Sequence, residues 1–151
     1  MTQLGRRFQK KEIVKDMSRD DASKRMVRIE SSEQYQGLIN ESENKLVIID
    51  IHTDWSGACE AMYPTFNKLF LEYDNADSRL LIASASFNKI GLDFIKNTFP
   101  ADAGGNLGGC IPTFALYRFK NCIGVITGAD APSILSTIAI NIPAYVVPKE
   151  Q

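Results

Sequence analysis

The stretch KLVIIDIHTDWSGACEAMYPTFNKLF, residues 45–70, decides the fold. Its first nine residues, 45–53, form a continuous apolar run rich in Val and Ile, which is typical of a strand covered on both faces. From Gly57 onward, apolar residues recur at spacings of three and four, which predicts an amphipathic helix. These residues are Ala58, Met62, Phe66, Leu69 and Tyr73. Pro64 lies inside this predicted helix and removes one backbone donor, so a kink is expected there.

Outside this stretch, strands and helices alternate. Strands are predicted at 26–29, 79–86, 112–119 and 122–128, and helices at 31–42, 92–99 and from 130 onward. Ser31 followed by Gln34 is typical of a capping box, and Asp130 is a candidate N-cap with Pro132 in the first turn. Lys120-Asn121 separates the last two strands as a hairpin, and the glycine-rich residues 100–111 form a long connection. The order βαβαβαββα predicts an α/β domain whose mixed sheet has helices on both faces.

Charge divides the chain into an arm and a domain. Residues 1–28 contain nine Lys and Arg against four acids, a net charge of +5, whereas residues 29–151 carry −6. We therefore predict a basic N-terminal extension over 1–25, one domain over 26–142, and a tail over 143–151. The arm either folds back weakly or docks on an acidic protein surface. Its candidate docking residues are Arg6, Arg7, Lys10 and Lys11.

Several classes of function are disfavoured by composition. No run of 18 apolar residues and no apolar signal segment is present, so we expect a cytoplasmic chain without a membrane partner. The basic arm interleaves acids and has few aromatic residues, which disfavours nucleic acid as a partner. Three cysteines without a C-x-x-C pair predict neither a disulfide framework nor a zinc site. We expect no metal and no cofactor.

Residues 55–59, WSGAC, are called the motif below. Four landmarks occur at fixed positions around it. Asp50 lies five residues before Trp55, and Pro64 lies five residues after Cys59. Ile111-Pro112-Thr113 and Gly128 follow at the ends of the predicted hairpin strands. In these features the chain resembles the thioredoxin family over 26–142. The resemblance implies a thioredoxin fold, and it implies that Ile111 and Pro112 form a cis-proline loop.

The motif departs from that family at the position of the nucleophile. The residues Trp55, Ser56, Gly57, Ala58 and Cys59 place a serine where the family has its nucleophilic cysteine. A serine hydroxyl cannot form or exchange a disulfide, so the dithiol cycle cannot run and no catalytic activity is expected. Cys59 is then either a packed small residue or a single redox thiol, acting alone or with Cys110.

Two polar residues on the strand before the motif have structural interpretations. Asp50 is expected to be a buried carboxylate satisfied by a hydroxyl or water, with a pKa that desolvation can raise. His52 has no neighbouring carboxylate or second histidine in the sequence pattern, so it is expected to be solvated or packed. Cys122 is expected to be an ordinary strand residue.

The motif without its nucleophile still predicts a binding surface. The resemblance implies that Trp55, Cys110, Ile111 and Pro112 form a shallow apolar groove, where relatives of this fold hold an extended peptide. The resemblance therefore implies a binding module that has lost its enzymatic activity. A general peptide-binding role of the chaperone type is a further alternative.

Two segments are similar to a narrower group. CIPTFALY, residues 110–117, and ITGADAP, residues 126–132, resemble ciliary thioredoxin-like proteins. These comprise the light chains of axonemal outer-arm dynein and thioredoxin domains fused to nucleoside diphosphate kinase modules. Since no kinase module follows in this sequence, a single-domain light chain fits better. The resemblance implies a dynein heavy chain and neighbouring outer-arm subunits as partners, and the axoneme of a cilium or flagellum as the location. Those relatives usually keep both motif cysteines, and Ser56 departs from them.

Overall fold

The computed structural model describes residues 25–54, 57–101, 103 and 111–145. These residues contain one mixed five-stranded sheet. Its strands are β1 (Val27–Ile29), β2 (Leu46–His52), β3 (Leu80–Ser86), β4 (Thr113–Arg118) and β5 (Asn121–Thr127). The strand order is β1-β3-β2-β4-β5. The β1–β3 and β3–β2 pairs are parallel, whereas the β2–β4 and β4–β5 pairs are antiparallel. The predicted mixed α/β sheet is confirmed.

Helices cover both faces of the sheet. They are α1 (Ser32–Glu41), α2 (Tyr63–Glu72), α3 (Ala76–Arg79), α4 (Phe87–Ile90), α5 (Leu92–Thr98) and α6 (Ala131–Asn141). The short helices α3 and α4 are four residues each and were not predicted, because one helical turn leaves no periodic pattern in the sequence. No helix in the described segments is long and apolar enough to cross a membrane.

The central strand β2 separates two hydrophobic cores. Leu46 and Ile48 point into the core that α2 and α6 cover, with Phe66, Phe114 and Ile134. Val47 and Ile49 point into the opposite core, which includes Tyr35, Ile95 and Tyr117. Every residue of β2 up to Ile51 is buried. The predicted strand with two covered faces is therefore confirmed, and it fixes where the motif that follows emerges.

The predicted helix caps are present. The Ser31 hydroxyl accepts a hydrogen bond from the backbone N–H of Gln34, at 3.2 Å. The Gln34 side chain accepts from the N–H of Glu30, one residue before the cap, at 2.6 Å. The Asp130 carboxylate accepts from the N–H of Ser133 at 3.2 Å and thereby caps α6.

The helix after the motif differs from the prediction at its start. A 3₁₀ turn over Glu60–Met62 comes first, and α2 begins at Tyr63. Pro64 therefore lies in the first turn of α2 and not in the interior of a longer, kinked helix. The first turn of a helix does not use its N–H groups in internal hydrogen bonds, so a proline is accommodated there without loss.

The hairpin turn lies one residue before its predicted position. Phe119 and Lys120 occupy the turn, with φ of 54° and 66°. Two positive φ values are typical of the type I′ turn, which matches the twist of the flanking strands. The N–H of Phe119 donates to the Ser42 carbonyl at 2.7 Å, and that of Lys120 donates to the Ser42 hydroxyl at 2.9 Å. These long-range hydrogen bonds, which the sequence did not reveal, hold the turn in place.

Candidate functional site

The motif loop starts at the carboxyl end of β2, the central strand. The N–H of Gly57 donates to the Thr53 carbonyl at 3.1 Å, which closes the turn after the strand. Gly57 has a φ of +67°, a left-handed conformation that glycine adopts without a steric penalty. The glycine of the motif therefore has a backbone role. Trp55 and Ser56 lie outside the described residues, so their predicted roles stay predictions.

A buried carboxylate lies beneath the motif. Asp50 is fully buried on β2, and its Oδ2 accepts a hydrogen bond from the backbone N–H of Cys59 at 2.7 Å. Its Oδ1 finds no hydrogen-bond partner within the described part of the chain. Burial raises the pKa of Asp50 to about 6, although the Cys59 N–H and the nearby His52 oppose the shift. The burial was predicted correctly, but the partner is a backbone amide and not a hydroxyl.

The Cys59 side chain is half-buried beside this carboxylate. It packs against the core that α2 and α6 cover, and it is not in a disulfide. Burial raises the pKa of its thiol and the charge of Asp50 adds to the shift, against hydrogen bonds from the backbone of Met62 and Ala61. A raised pKa leaves less of the thiol as thiolate at neutral pH, and the thiolate is the reactive form.

The loop before β4 differs from the resemblance. Every peptide bond in the described segments is trans, and Ile111–Pro112 is one of them, so the expectation of a cis-proline is wrong. Trans is the lower-energy form of a bond before proline by about 0.5–1 kcal/mol. In this form the Pro112 carbonyl accepts a hydrogen bond from the N–H of Gly128 at 2.7 Å. Ile111 is exposed and Pro112 is half-buried, while Cys110 lies outside the described residues.

The remaining predicted binding residues belong to the N-terminal extension. Arg6, Arg7, Lys10 and Lys11 lie outside the part of the chain that the structure describes. The same holds for most of the basic arm and for residues 146–151 of the tail. The described structure brings one predicted site residue, Cys59, into direct contact with Asp50, for which a structural role was expected.

A polar cleft beside the motif was not predicted. It has a volume of about 210 Å³ and lies where β1, β3 and β2 end, on the opposite side of β2 from Pro112. Its lining includes Arg28, Glu30, His52, Asp54, Ser84, Ser86 and Lys89. The carboxyl ends of neighbouring parallel strands meet at one edge of a sheet, and clefts form there. That rule is the signal from which the position of the cleft could have been predicted.

Three of the charged residues of this cleft, Lys89, Glu30 and Asp54, have partners among neighbouring side chains. Lys89 forms an ion pair with Glu30, with 2.9 Å between Nζ and Oε2. The Ser86 hydroxyl donates to the Asp54 carboxylate, and the Asp54 N–H donates to Asn88 at 3.0 Å. No cluster of three or more His, Cys, Asp or Glu residues that could hold a metal occurs in the described segments.

A second polar cluster lies inside the opposite core. The buried hydroxyls of Tyr35 and Tyr117 are 2.6 Å apart, and the Thr98 hydroxyl is 2.7 Å from that of Tyr117. Burial raises the pKa of both tyrosines, so they remain protonated. Cys122 lies in β5, as predicted, and burial raises its thiol pKa too. Sequence patterning missed this cluster because it joins three separate elements.

Comparison with known proteins identifies the family. The thioredoxin family model matches residues 26–139. This chain belongs to the thioredoxin family. Rat thioredoxin is 28% identical over 110 residues, which cover 73% of this chain and 92% of the rat protein. The chloroplastic F-type thioredoxin of spinach is 27% identical over 101 residues, 67% of this chain and 47% of the spinach protein.

One relative is a much longer protein. A peptide-N(4)-(N-acetyl-beta-glucosaminyl)asparagine amidase of Caenorhabditis briggsae is 27% identical over 101 residues. The match covers 67% of this chain and only 15% of the length of the amidase. The similarity is therefore to one segment of that protein.

Solved thioredoxin structures share the fold. Thioredoxin NaTrxh of Nicotiana alata superposes with a TM-score of 0.56 at 21% identity, over 79% of this chain and 94% of its own. Fasciola hepatica thioredoxin superposes with a TM-score of 0.56 at 18% identity, over 77% and 99%. At these identities the similarity establishes the fold alone. The thioredoxin fold expected from the landmarks around the motif is confirmed.

Proposed function

We propose that this thioredoxin-family chain is a non-catalytic protein-binding subunit, a light chain of axonemal outer-arm dynein bound to the tail of a heavy chain. The observation that carries the proposal is a combination at the motif. Position 56 is a serine, and the remaining motif thiol, Cys59, has a raised pKa. A thioredoxin cycle needs an attacking thiolate followed by a resolving thiol, and neither requirement is met well.

The contact between Asp50 and Cys59 supports a structural role for the motif. Oδ2 of Asp50 is 2.7 Å from the backbone nitrogen of Cys59. The negative charge of Asp50 disfavours ionisation of the Cys59 thiol. The hydrogen bond also anchors the chain where it turns from β2 toward the 3₁₀ turn. Cys59, the last residue of the motif, is thus held by a hydrogen bond that requires no redox chemistry.

The ciliary assignment is supported by sequence segments and by charge. Residues 110–117 and 126–132 are similar to ciliary thioredoxin-like proteins. The exposed Ile111, beside Pro112, belongs to the proposed groove together with Trp55 and Cys110. The basic arm, with Arg6 and Arg7, supplies a second contact for an acidic partner surface.

Co-purification with ciliary dynein tests the proposal. We expect the tagged 151-residue chain to be recovered with an outer-arm heavy chain and to stay bound at ~0.5 M salt, where exposed ion pairs are largely screened. Ile111→Glu in the groove should weaken recovery. Val27→Glu is the matched control, since Val27 is 42% exposed on the far edge strand β1. Recovery of the chain solely as a free cytosolic protein would overturn the proposal.

A redox role through Cys59 is the second candidate. It is favoured by the relatives, since rat and spinach thioredoxins are the kind of protein that this chain matches. In this role Cys59 would act as a single thiol or bridge to Cys110. A disulfide-reduction assay of the full chain, with Cys59→Ser beside it, separates the two candidates. Reduction that depends on Cys59 would favour the redox role, whereas no turnover would favour the binding subunit.

A further inference from the structure

The polar cleft beside the motif has serine side chains along its central strand. Ser84 and Ser86 of β3 line it and are only 7% and 6% exposed. Side chains two residues apart along a strand share a face, so Leu80 and Ile82 lie on the same face of β3 as the two serines. Leu80 and Ile82 belong to the apolar core that α2 and α6 cover. This face of the sheet therefore changes from apolar to polar where β3 ends.

The two walls of the cleft offer different groups to a ligand. β1 and β2 flank β3 on its two sides and are therefore about 10 Å apart. In the parallel registers, Arg28 of β1 lies beside Ser84, and His52 of β2 lies beside Ser86. Asp54 follows His52 at the end of β2 and also lines the cleft. The β1 wall thus presents a guanidinium, and the β2 wall presents a carboxylate and an imidazole.

Charge in the cleft is compensated only in part by the protein itself. Glu30 and Lys89 form an ion pair and offset each other. The Asp54 carboxylate accepts a hydrogen bond from the Ser86 hydroxyl, which carries no charge. The Arg28 guanidinium makes no hydrogen bond or ion pair with any residue that the structure describes. One positive charge on the β1 wall and one negative charge on the β2 wall are therefore available.

Two uncharged groups of the cleft are available as well. The Ser84 hydroxyl finds no hydrogen-bond partner in the described part of the chain, although the residue is buried. Nδ1 of His52 lies 2.9 Å from the Thr53 carbonyl oxygen. A carbonyl only accepts, so Nδ1 carries a proton and Nε2 of the neutral ring is an acceptor. A buried polar group without a partner is costly, and a ligand in the cleft supplies one.

We propose that this cleft binds a zwitterionic ligand of the size of a dipeptide. The ligand carboxylate accepts hydrogen bonds from Arg28 and from the Ser84 hydroxyl. The ligand ammonium group donates to Asp54 and to Nε2 of His52. A ligand with a single charge satisfies one wall only and approaches a like charge at the other. The proposed function neither requires nor excludes such a ligand.

The size of the cleft agrees with a dipeptide. Its volume of about 210 Å³ is below the roughly 300–1,000 Å³ of pockets for drug-sized molecules. An extended dipeptide is about 7 Å long, so its two charged ends reach side chains on walls that are about 10 Å apart. A single amino acid is half as long and cannot engage both walls equally well.

A titration of the ¹⁵N-labelled 151-residue chain with glycylglycine, followed by ¹H–¹⁵N NMR spectra, tests the proposal. The amide signals of Ser84 and Ser86 should shift and saturate, with a dissociation constant of ~1 mM or below. Absence of saturation up to ~20 mM glycylglycine would overturn the proposal.

Two analogues of the probe test whether both charges are recognised. N-propionylglycine has a methyl group in place of the ammonium group, and glycylglycinamide has an uncharged amide in place of the carboxylate. Each should bind about tenfold more weakly than glycylglycine, or worse, because each leaves one wall without its partner. Binding of either analogue as tightly as glycylglycine would show a site for one charge only and would overturn the proposal.

Substitutions on the two walls assign the contacts. Arg28→Gln should weaken glycylglycine binding by about tenfold and affect glycylglycinamide much less, because the carboxylate loses its partner. Asp54→Asn should weaken glycylglycine binding and affect N-propionylglycine much less. Lys68→Gln is the control, since the Lys68 side chain is 74% exposed on α2, and it should bind like the wild type. Unchanged affinity in both wall variants, or an equal loss in the control, would contradict the placement. Dispersed NMR spectra verify that each variant is folded.

Discussion

Replacing Asp50 with asparagine should stabilise the protein at neutral pH. The carboxyl group is fully buried, Oδ1 has no hydrogen-bond partner in the described segments, and burial raises the pKa to about 6 from an ordinary value of 3.8. A difference of about 2 pKa units corresponds to about 3 kcal/mol that the ionised group costs the folded state above pH 6. An asparagine at this position has no charge to bury, and its side-chain oxygen can still accept the Cys59 N–H.

The pH dependence follows from the same shift. Because the folded-state pKa lies above the unfolded-state value, the folded protein binds more protons between about pH 4 and pH 6. The contribution of Asp50 to stability is therefore most favourable below pH 4, and it falls as the pH rises toward 6 and then stays constant. In Asp50→Asn this contribution to the slope should disappear.

Urea unfolding measures both effects. Unfolding curves of the wild type and Asp50→Asn, followed by far-ultraviolet circular dichroism at pH 7 and pH 5, give the two free energies of unfolding. At pH 7 the variant should be more stable by about 1–3 kcal/mol, because part of the gain is lost with the weaker acceptor. The difference should shrink at pH 5. Glu41→Gln, an exposed carboxylate on α1, is the matched control and should change little. A variant less stable than wild type at pH 7 would refute the reasoning.

Three further stability predictions use the same urea assay. Ser42→Ala should lower the free energy of unfolding by about 1–3 kcal/mol, since the buried hydroxyl accepts from Lys120 and donates to the Ile39 carbonyl; an unchanged midpoint would contradict it. Phe119→Asn combined with Lys120→Gly should raise the free energy of unfolding by about 1 kcal/mol, because asparagine and glycine adopt positive φ more readily than phenylalanine and lysine. A loss of stability would show that the Phe119 side chain matters more. Tyr117→Phe should cost about 1–3 kcal/mol, because the buried Tyr35 hydroxyl loses the Tyr117 hydroxyl 2.6 Å away while Thr98 keeps its hydrogen bond to the Ile95 carbonyl, and a cost near zero would contradict that network.

The parts of the fold that the sequence predicted depend on local patterns. The apolar run at 45–53 indicated a doubly covered strand because burial on both faces removes the usual alternation. Ser31 and Asp130 indicated helix starts because a short polar side chain before an apolar period has a defined partner three residues on. Each of these features is decided within a few residues.

The predictions that the structure corrected depend on contacts between residues distant in sequence or on small shifts of register. The turn fell on Phe119 and Lys120 because Ser42, nearly eighty residues earlier, accepts both of their N–H groups. Pro64 is compatible either with a kink inside a helix or with the first turn of a helix. A 3₁₀ turn over Glu60–Met62 precedes it and the helix begins at Tyr63, so Pro64 lies in the first turn. The local sequence could not distinguish these outcomes.

The site was predicted only in part for the same reason. The motif at 55–59 located the loop, and the serine at position 56 is read from the sequence alone. The hydrogen bond from Cys59 to Asp50 spans nine residues and two elements, so its geometry required the structure. The trans Ile111–Pro112 bond departed from the resemblance, because a shared Ile-Pro-Thr sequence does not determine the isomer of the bond.

The reactivity of Cys59 tests the central claim, the proposal that this chain is a non-catalytic binding subunit in which Cys59 is a packed residue and not a redox thiol. The measurement is the rate of alkylation at neutral pH, followed by mass spectrometry, for the native, non-reduced chain and for the denatured chain. We predict slow labelling of Cys59 in the native protein, rapid labelling after denaturation, and no disulfide, because burial and Asp50 raise the thiol pKa. Rapid labelling of native Cys59, or a disulfide between Cys59 and Cys110, would contradict the claim.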